Sequence, residues 1–81
     1  MSNVYILCDT LNGRVISRHR TIRAAVRADQ AFANGRGSYI PTVIRRESER
    51  SATSGAYETA IPLTDLEREE YDRAFDAEVS R

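Results

Sequence analysis

Apolar residues are concentrated near the start of the chain, in two short runs that a turn sequence separates. The first run, residues 4–8, is apolar without clean alternation, which is typical of a strand that is covered on both faces or lies at a sheet centre. Residues 9–13 follow and end in Asn12-Gly13, a pair that tolerates positive φ. The pattern therefore predicts a β-hairpin.

The register of this hairpin follows from pairing charge with charge and apolar with apolar side chains. A loop of four residues, 10–13, satisfies both conditions. Its cross-strand pairs are Asp9 with Arg14, Cys8 with Val15, and Leu7 with Ile16. A two-residue loop would instead place Leu7 opposite Arg18, so we expect the four-residue loop.

A helix is predicted next, over residues 22–33. Thr21 is a suitable N-cap because its hydroxyl can accept a hydrogen bond from an unpaired amide of the first turn, and Asn34-Gly35 is a typical C-terminal signal. Asp29 lies on the apolar side of this helix. We expect it at the edge of the interface, paired with an arginine of a neighbouring strand, because a buried carboxylate without a partner is costly.

The middle of the chain alternates between strand and loop patterns. Residues 38–46 predict a third strand, which should lie at a sheet edge or begin near Pro41, because proline cannot donate to a ladder. Residues 47–55 are small, polar and turn-prone, and predict a flexible loop. Residues 56–61 alternate in polarity and predict a fourth strand or an extended arm.

The C-terminal part has the clearest helix signal. Thr64 and Glu67 form a capping box, which predicts a helix over residues 65–79. A narrow apolar seam follows from the spacing of Tyr71, Phe75 and Val79, and Leu66 lies off that seam. Four carboxylates form a stripe about 16 Å long on the helix surface. This acidic stripe consists of Asp65, Glu69, Asp72 and Asp76.

The elements together predict a small α+β fold with an antiparallel sheet, in the order ββαβ(β)α, ending in an acidic helix. With 81 residues the chain can bury only about 60% of its unfolded surface, which leaves little room for a deep active-site pocket. We expect a single domain over residues 1–81. Its parts are a ββαβ core at 1–46, a flexible loop at 47–55, and a strand or arm plus the C-terminal helix at 56–79.

Charge is balanced overall but divided along the chain. Residues 1–46 contain eight arginines and two acids, a net charge of +6, whereas residues 47–81 contain four arginines and ten acids, a net charge of −6. Such asymmetry indicates either a charged partner or neutralisation of one half by the other. All twelve basic residues are arginine; its planar fork suits carboxylate and phosphate, although a GC-rich genome would produce the same bias.

No catalytic, metal-binding or cofactor-binding pattern is evident. Cys8 and His19 share a face in the expected register, but they lie at different levels with no third group to orient them. One histidine, one cysteine and scattered carboxylates match neither a zinc nor a calcium pattern. We expect a non-enzymatic protein without metal or cofactor. The single cysteine and the lack of a signal sequence or bilayer-spanning run favour the cytoplasm of a bacterial host.

Two charged surfaces are candidates for recognition. The acidic stripe, with Tyr71 as an aromatic anchor, could bind a basic groove of a protein partner. Alternatively, a basic face could bind nucleic acid and make the chain a small regulatory domain. This basic face consists of Arg18, Arg20, Arg23 and Arg27.

In size, predicted fold and acidic terminal helix, the chain resembles the small anti-CRISPR proteins that phages and other mobile elements encode. That resemblance implies stoichiometric binding to a subunit of a host CRISPR effector, which prevents target DNA from being bound or cut. The chain departs from the strongly acidic DNA mimics of that class in its zero net charge and basic first half. The exposed third strand and narrow helix seam leave both a monomer and a homodimer open.

Overall fold

The computed structural model describes residues 3–36 and 41–79. Its centre is a three-stranded antiparallel sheet with the spatial order β2-β1-β3. The strands are β1 (Tyr5–Asp9), β2 (Arg14–His19) and β3 (Thr42–Arg46). The helices are α1 (Ile22–Arg36), α2 (Glu49–Ser54) and α3 (Asp65–Val79), with a 3-10 turn at Tyr57–Thr59. The predicted α+β class is confirmed.

The β1–β2 hairpin begins in the predicted register and then departs from it. Asp9 pairs with Arg14 and Cys8 with Val15, as expected, but Leu7 lies opposite Ser17 and not opposite Ile16. Ile16 is the extra residue of a β-bulge. The predicted register would have placed Arg18 opposite Tyr5, on the face that the helices cover. The bulge places it opposite Ile6, on the other face, where its charge has a carboxylate partner.

Strand β1 is buried at all five positions, which confirms a central strand. Its alternate side chains enter two separate clusters on the two faces of the sheet. The helix-side cluster consists of Tyr5, Leu7, Ile22, Ala25, Val26, Ile44 and Ala74. The strap-side cluster, named for the strap of residues 55–61 that covers it, consists of Ile6, Cys8 and Ala60. An apolar run without alternation is therefore explained by cover on both faces.

Helix α1 begins as predicted and ends later. The Thr21 hydroxyl accepts a hydrogen bond from the Ala24 amide at 3.1 Å, which confirms the N-cap. The helical backbone continues through Asn34-Gly35 to Arg36, so the predicted end at residue 33 is wrong. Both residues lower helix propensity without forbidding a helical backbone.

The partner of Asp29 differs from the one predicted. Its Oδ1 accepts a hydrogen bond from the Thr42 hydroxyl at 2.6 Å, so a neutral donor on β3 takes the place of the expected arginine. Strand β3 is an edge strand that begins immediately after Pro41, as predicted. Residues 38–40 of the predicted strand lie outside the described residues.

The predicted flexible loop at residues 47–55 is wrong, because it contains helix α2. Ser48 and Ser51 cap its first turn reciprocally: each side chain accepts a hydrogen bond from the backbone N–H of the other. The helix ends at Gly55, which has a left-handed φ of 70°. Two serines three residues apart therefore start a helix in a stretch whose composition is typical of a loop.

Residues 56–61, predicted as a fourth strand or an extended arm, form no strand in the described structure, although single bridges join Ala56 to Arg14 and Ile61 to Arg46. Instead residues 55–61 form a strap that joins the two outer strands of the sheet. The Val15 amide donates to the Gly55 carbonyl at 3.0 Å at one end, and the Arg46 amide donates to the Ile61 carbonyl at 2.8 Å at the other. Between these ends the 3-10 turn crosses the sheet, and Ala60 enters the strap-side cluster.

Helix α3 has the predicted bounds and packs against α1. Ala74 is buried, and the rings of Tyr71 and Phe75 stack at 6.1 Å between centroids beside the helix-side cluster. Leu66 is 77% exposed, as its position off the seam predicted. None of the helices in the described part of the chain combines the length and the apolar composition needed to span a bilayer.

Candidate functional site

The acidic stripe lies on the outer side of α3. At about 100° per residue it points away from the side that buries Glu67 and Ala74. All four of its carboxylates are exposed, and among the described residues no arginine approaches them within ion-pair distance. The stripe therefore presents unneutralised charge on a regular helix that has a buried side behind it.

The stripe is positioned by the polar start of α3. The Thr64 amide donates to Oε1 of Glu67 at 2.9 Å, and the Glu67 amide donates to the Thr64 hydroxyl at 3.2 Å. The predicted capping box is thus confirmed. It fixes where the helix begins, and therefore the direction in which the carboxylates of the stripe point.

Glu67 also links α3 to the sheet. Burial alone would raise the pKa of its carboxyl. Three opposing interactions, with Thr64, with the Tyr5 hydroxyl and with the positive charge of Arg46, hold that pKa below its ordinary value of 4.5. The pKa of Tyr5 is raised by burial and by its interaction with Glu67. Oε2 of Glu67 is buried without a hydrogen-bond partner that the described residues supply. Polar interactions of Glu67 with β1 and β3 therefore accompany the apolar packing of the helix.

Tyr71 is less accessible than the carboxylates beside it. Its side chain is half-buried and packs against the helix-side cluster. Burial, and then the negative charges of Asp29 and Asp72, raise the pKa of its hydroxyl. Part of its ring already serves the fold, so its role as an aromatic anchor for a partner stays a prediction.

The basic face is partly neutralised within the fold. Arg18 donates two hydrogen bonds to the carboxylate of Glu47, both at 2.8 Å, and Arg27 donates to Glu78 at 3.0 Å. Both acids come from the second half of the chain. This arrangement matches the interpretation in which one charged half neutralises the other.

The remaining arginines of the basic face line different surfaces. Arg20 borders a cleft of about 280 Å³ together with Val4, Arg18 and His19. Arg23 borders another cleft, of about 240 Å³, that contains the acid Glu70. The structure therefore divides the predicted face, and a single phosphate backbone would not meet all four cations on one uninterrupted basic surface.

Cys8 and His19 are separated by the sheet. Because of the bulge, His19 lies opposite Tyr5 and so on the helix side, whereas Cys8 belongs to the strap-side cluster. Burial raises the pKa of the Cys8 thiol to about 11, which keeps it protonated and unreactive at neutral pH. His19 instead hydrogen bonds through Nε2 to the Ser17 hydroxyl at 2.7 Å.

Residues 3–36 and 41–79 contain no group of three or more histidine, cysteine, aspartate or glutamate side chains placed to hold a metal ion. The acidic stripe spreads its carboxylates along about 16 Å of helix. That distribution suits separate contacts with several cations of a partner better than convergence on one ion.

Sequence reasoning missed the acids that neutralise the basic face. Glu47 lies 29 residues from Arg18, and Glu78 lies 51 residues from Arg27. The opposite net charges of the two halves were the one available signal, and they do not specify pairs.

Comparisons with protein-family models, with curated proteins and with solved structures gave no match.

Proposed function

We propose that this protein is a non-enzymatic inhibitor that binds a host defence complex through the acidic stripe. The partner surface is a basic groove that otherwise holds a nucleic-acid backbone, as in a subunit of a CRISPR effector. The observation that carries the proposal is a row of four exposed carboxylates on a helix with a capped start, with no ion pair to any of the described residues. Complementary charge of this kind steers association and fixes orientation.

The density of charge favours a groove contact over imitation of a whole duplex. The stripe presents four charges in about 16 Å of helix, whereas one strand of DNA carries a charge about every 3.4 Å. We therefore infer that the carboxylates engage individual arginines or lysines of the groove. The ion pairs of Arg18 and Arg27 with internal acids support this proposal over direct nucleic-acid binding.

The decisive experiment measures target-DNA binding by purified candidate effector complexes. A labelled target duplex is titrated with effector in the presence of increasing amounts of the protein. We expect DNA binding to be lost when the protein approaches one copy per binding subunit. Unchanged DNA binding and unchanged cleavage by every candidate complex would contradict the proposal.

A matched pair of variants tests the surface. Glu69→Lys with Asp72→Lys reverses the middle of the stripe and spares Asp65, whose charge favours the helix start. Glu49→Lys with Glu58→Lys makes the same change of net charge at exposed positions away from α3. We expect the first variant to lose about tenfold or more in affinity for the effector and the second to stay close to the parent.

The alternative function has its own test in the same experiments. The protein alone is mixed with labelled DNA and RNA at low and high salt. If it retards either probe, and the binding weakens steeply with salt, the nucleic-acid-binding function replaces the inhibitor. Absence of retardation, together with loss of effector binding to DNA, supports the inhibitor.

A further inference from the structure

We infer that the outer edge of β3 is a second interaction surface, which binds an extended acidic and apolar peptide segment of a protein partner by strand addition. In this mode a peptide hydrogen bonds along an open sheet edge, and its alternate side chains enter clefts beside the edge. The inference is independent of the acidic stripe, since it rests on the backbone of a different element.

The backbone of β3 shows which groups are open. Hydrogen bonds directed toward β1 and the hairpin are made at Pro41, whose carbonyl accepts from the Thr10 amide, and at Glu47, whose amide donates to the Val4 carbonyl. The backbone N–H and C=O of Arg46 point away from β1 and form two hydrogen bonds with the backbone of Ile61 in the strap. Because these directions alternate along a strand, the N–H and C=O groups of Thr42 and Ile44 also point outward.

Nothing in the described part of the chain pairs with those outward groups. The strap makes an antiparallel bridge to Arg46 at Ile61, and after it the described residues form no further bridge to β3. Leu63 then turns toward the helix-side cluster and leads into α3. The chain thus begins a fourth strand beside β3 and abandons it after one bridge, which leaves the edge at residues 42–44 open.

Two clefts of about 140 and 220 Å³ lie beside this open edge. They share four lining residues: Val43, Ile44, Leu63 and Arg68. The larger cleft also reaches Tyr71 and the smaller one reaches Arg45. Apolar walls suit the apolar side chains of an added strand, and Arg68, which both clefts share, suits a carboxylate on the helix side of that strand. Arg45 lies on the other face, where its guanidinium stacks 4.9 Å from the centre of the Tyr57 ring and keeps its positive charge.

Charge also argues against a second copy as the occupant. Antiparallel pairing of β3 with its own copy would bring Arg45 and Arg68 of both chains to one short interface. Positive charges gathered at one interface repel each other and weaken the association. An acidic segment of another protein has the complementary charge, and the short open edge limits it to a few backbone hydrogen bonds.

The test uses a short synthetic peptide in which valine and glutamate alternate, labelled with a fluorophore. Fluorescence anisotropy measures its affinity, and amide chemical shifts of the isotope-labelled protein locate it. We expect binding with shifts at the amides of Thr42 and Ile44. Two control peptides should bind at least about tenfold more weakly. A valine–lysine peptide lacks the negative charge, and a backbone N-methylated valine–glutamate peptide lacks the N–H donors.

Two exposed arginines of α3 provide the matched variants. Arg68→Glu reverses the charge that both clefts share, whereas Arg73→Glu reverses one outside both clefts. We expect the first to abolish binding of the acidic peptide and the second to leave it within about twofold. The inference is overturned if the acidic peptide fails to bind, if the N-methylated peptide binds equally, or if the shifts map elsewhere. A concentration-dependent dimer that protects the amides of Thr42 and Ile44 would assign the edge to a second copy and overturn it too.

Discussion

Helices α1 and α3 are both fifteen residues long and pack against each other, yet they contribute to the molecule in different ways. Helix α1 buries Ile22, Ala25 and Val26 almost completely against the sheet. Helix α3 buries Ala74 and the carboxylate Glu67 and keeps Phe75 half-exposed. The first helix builds the core, and the second is attached to it by a modest apolar contact and by polar contacts at its start.

This difference shows how a very small chain can leave one helix surface free for charged residues. Since α3 contributes little to the core, its outer residues are free to be charged without a cost in packing. To hold those charged residues in place, the helix must begin at a fixed residue and keep the same side toward the core. The reciprocal hydrogen bonds of Thr64 and Glu67 fix where it begins. The apolar core and the exposed negative charge therefore belong mainly to different helices.

The largest expected effect comes from removing an apolar side chain of α1. Ile22→Ala should lower the free energy of unfolding by about 2 to 5 kcal/mol, because Ile22 is 1% exposed and its loss leaves a cavity. Phe75→Ala on α3 should cost about 1 to 2 kcal/mol, since that ring is only half-buried. Urea unfolding measures both, and equal losses would show that α3 belongs to the core as fully as α1.

The next effect concerns the two helix caps. Thr64→Ala and Thr21→Ala should each cost about 1 kcal/mol, because each removes a hydroxyl that accepts from a first-turn amide. Their local consequences should differ. Amide hydrogen exchange in α3 should accelerate in Thr64→Ala while the sheet stays protected. If exchange in the sheet accelerates equally, α3 does not open as a separate unit.

A smaller effect at neutral pH is expected for Glu67→Gln, because an amide oxygen can still accept from the Thr64 amide. The difference should depend on pH. The folded-state pKa of Glu67 is lowered, so its ionised form stabilises the fold above pH 4.5, and that contribution is lost as the pH falls below this value. Thermal unfolding from pH 7 to pH 3 should show the parent approaching the variant. If the difference in stability between parent and variant stays constant over this pH range, the lowered pKa of Glu67 is contradicted.

The smallest effect is expected for the ion pair between the helices. Arg27→Ala should cost about 0.5 kcal/mol or less, because Arg27 is largely exposed and solvent screens the pair. The loss should vanish in high salt. Arg23→Ala is the control, since Arg23 is exposed on the same helix and has no ion pair among the described residues. A loss above about 1 kcal/mol that persists in salt would mean that the pair fixes α3 more firmly than its packing does.

Features fixed by neighbouring residues were predictable from the sequence. The caps at Thr21 and Thr64 and the four-residue hairpin loop each depend on a few adjacent positions, and all are confirmed. Helix phasing likewise placed the acidic stripe on the exposed side of α3. Local chemistry was therefore enough to predict these features.

Features that depend on distant residues were not predictable in the same way. The bulge at Ile16 satisfies Arg18 by bringing it to Glu47, a residue that no local pattern connects to the hairpin. Helix α2 was missed for a different reason, because a serine at the third helical position replaces the glutamate or glutamine of the usual capping box. The neutral partner of Asp29 was missed because a hydroxyl leaves no charge pattern in a sequence.

The strap has a consequence for templated self-assembly. Its two ends occupy the start of one outer strand and the end of the other, so neither side of the sheet offers a full-length strand to another molecule. The bulge also twists β2 out of the flat geometry that stacking of copies requires. The molecule should therefore resist amyloid growth while its strap stays in place.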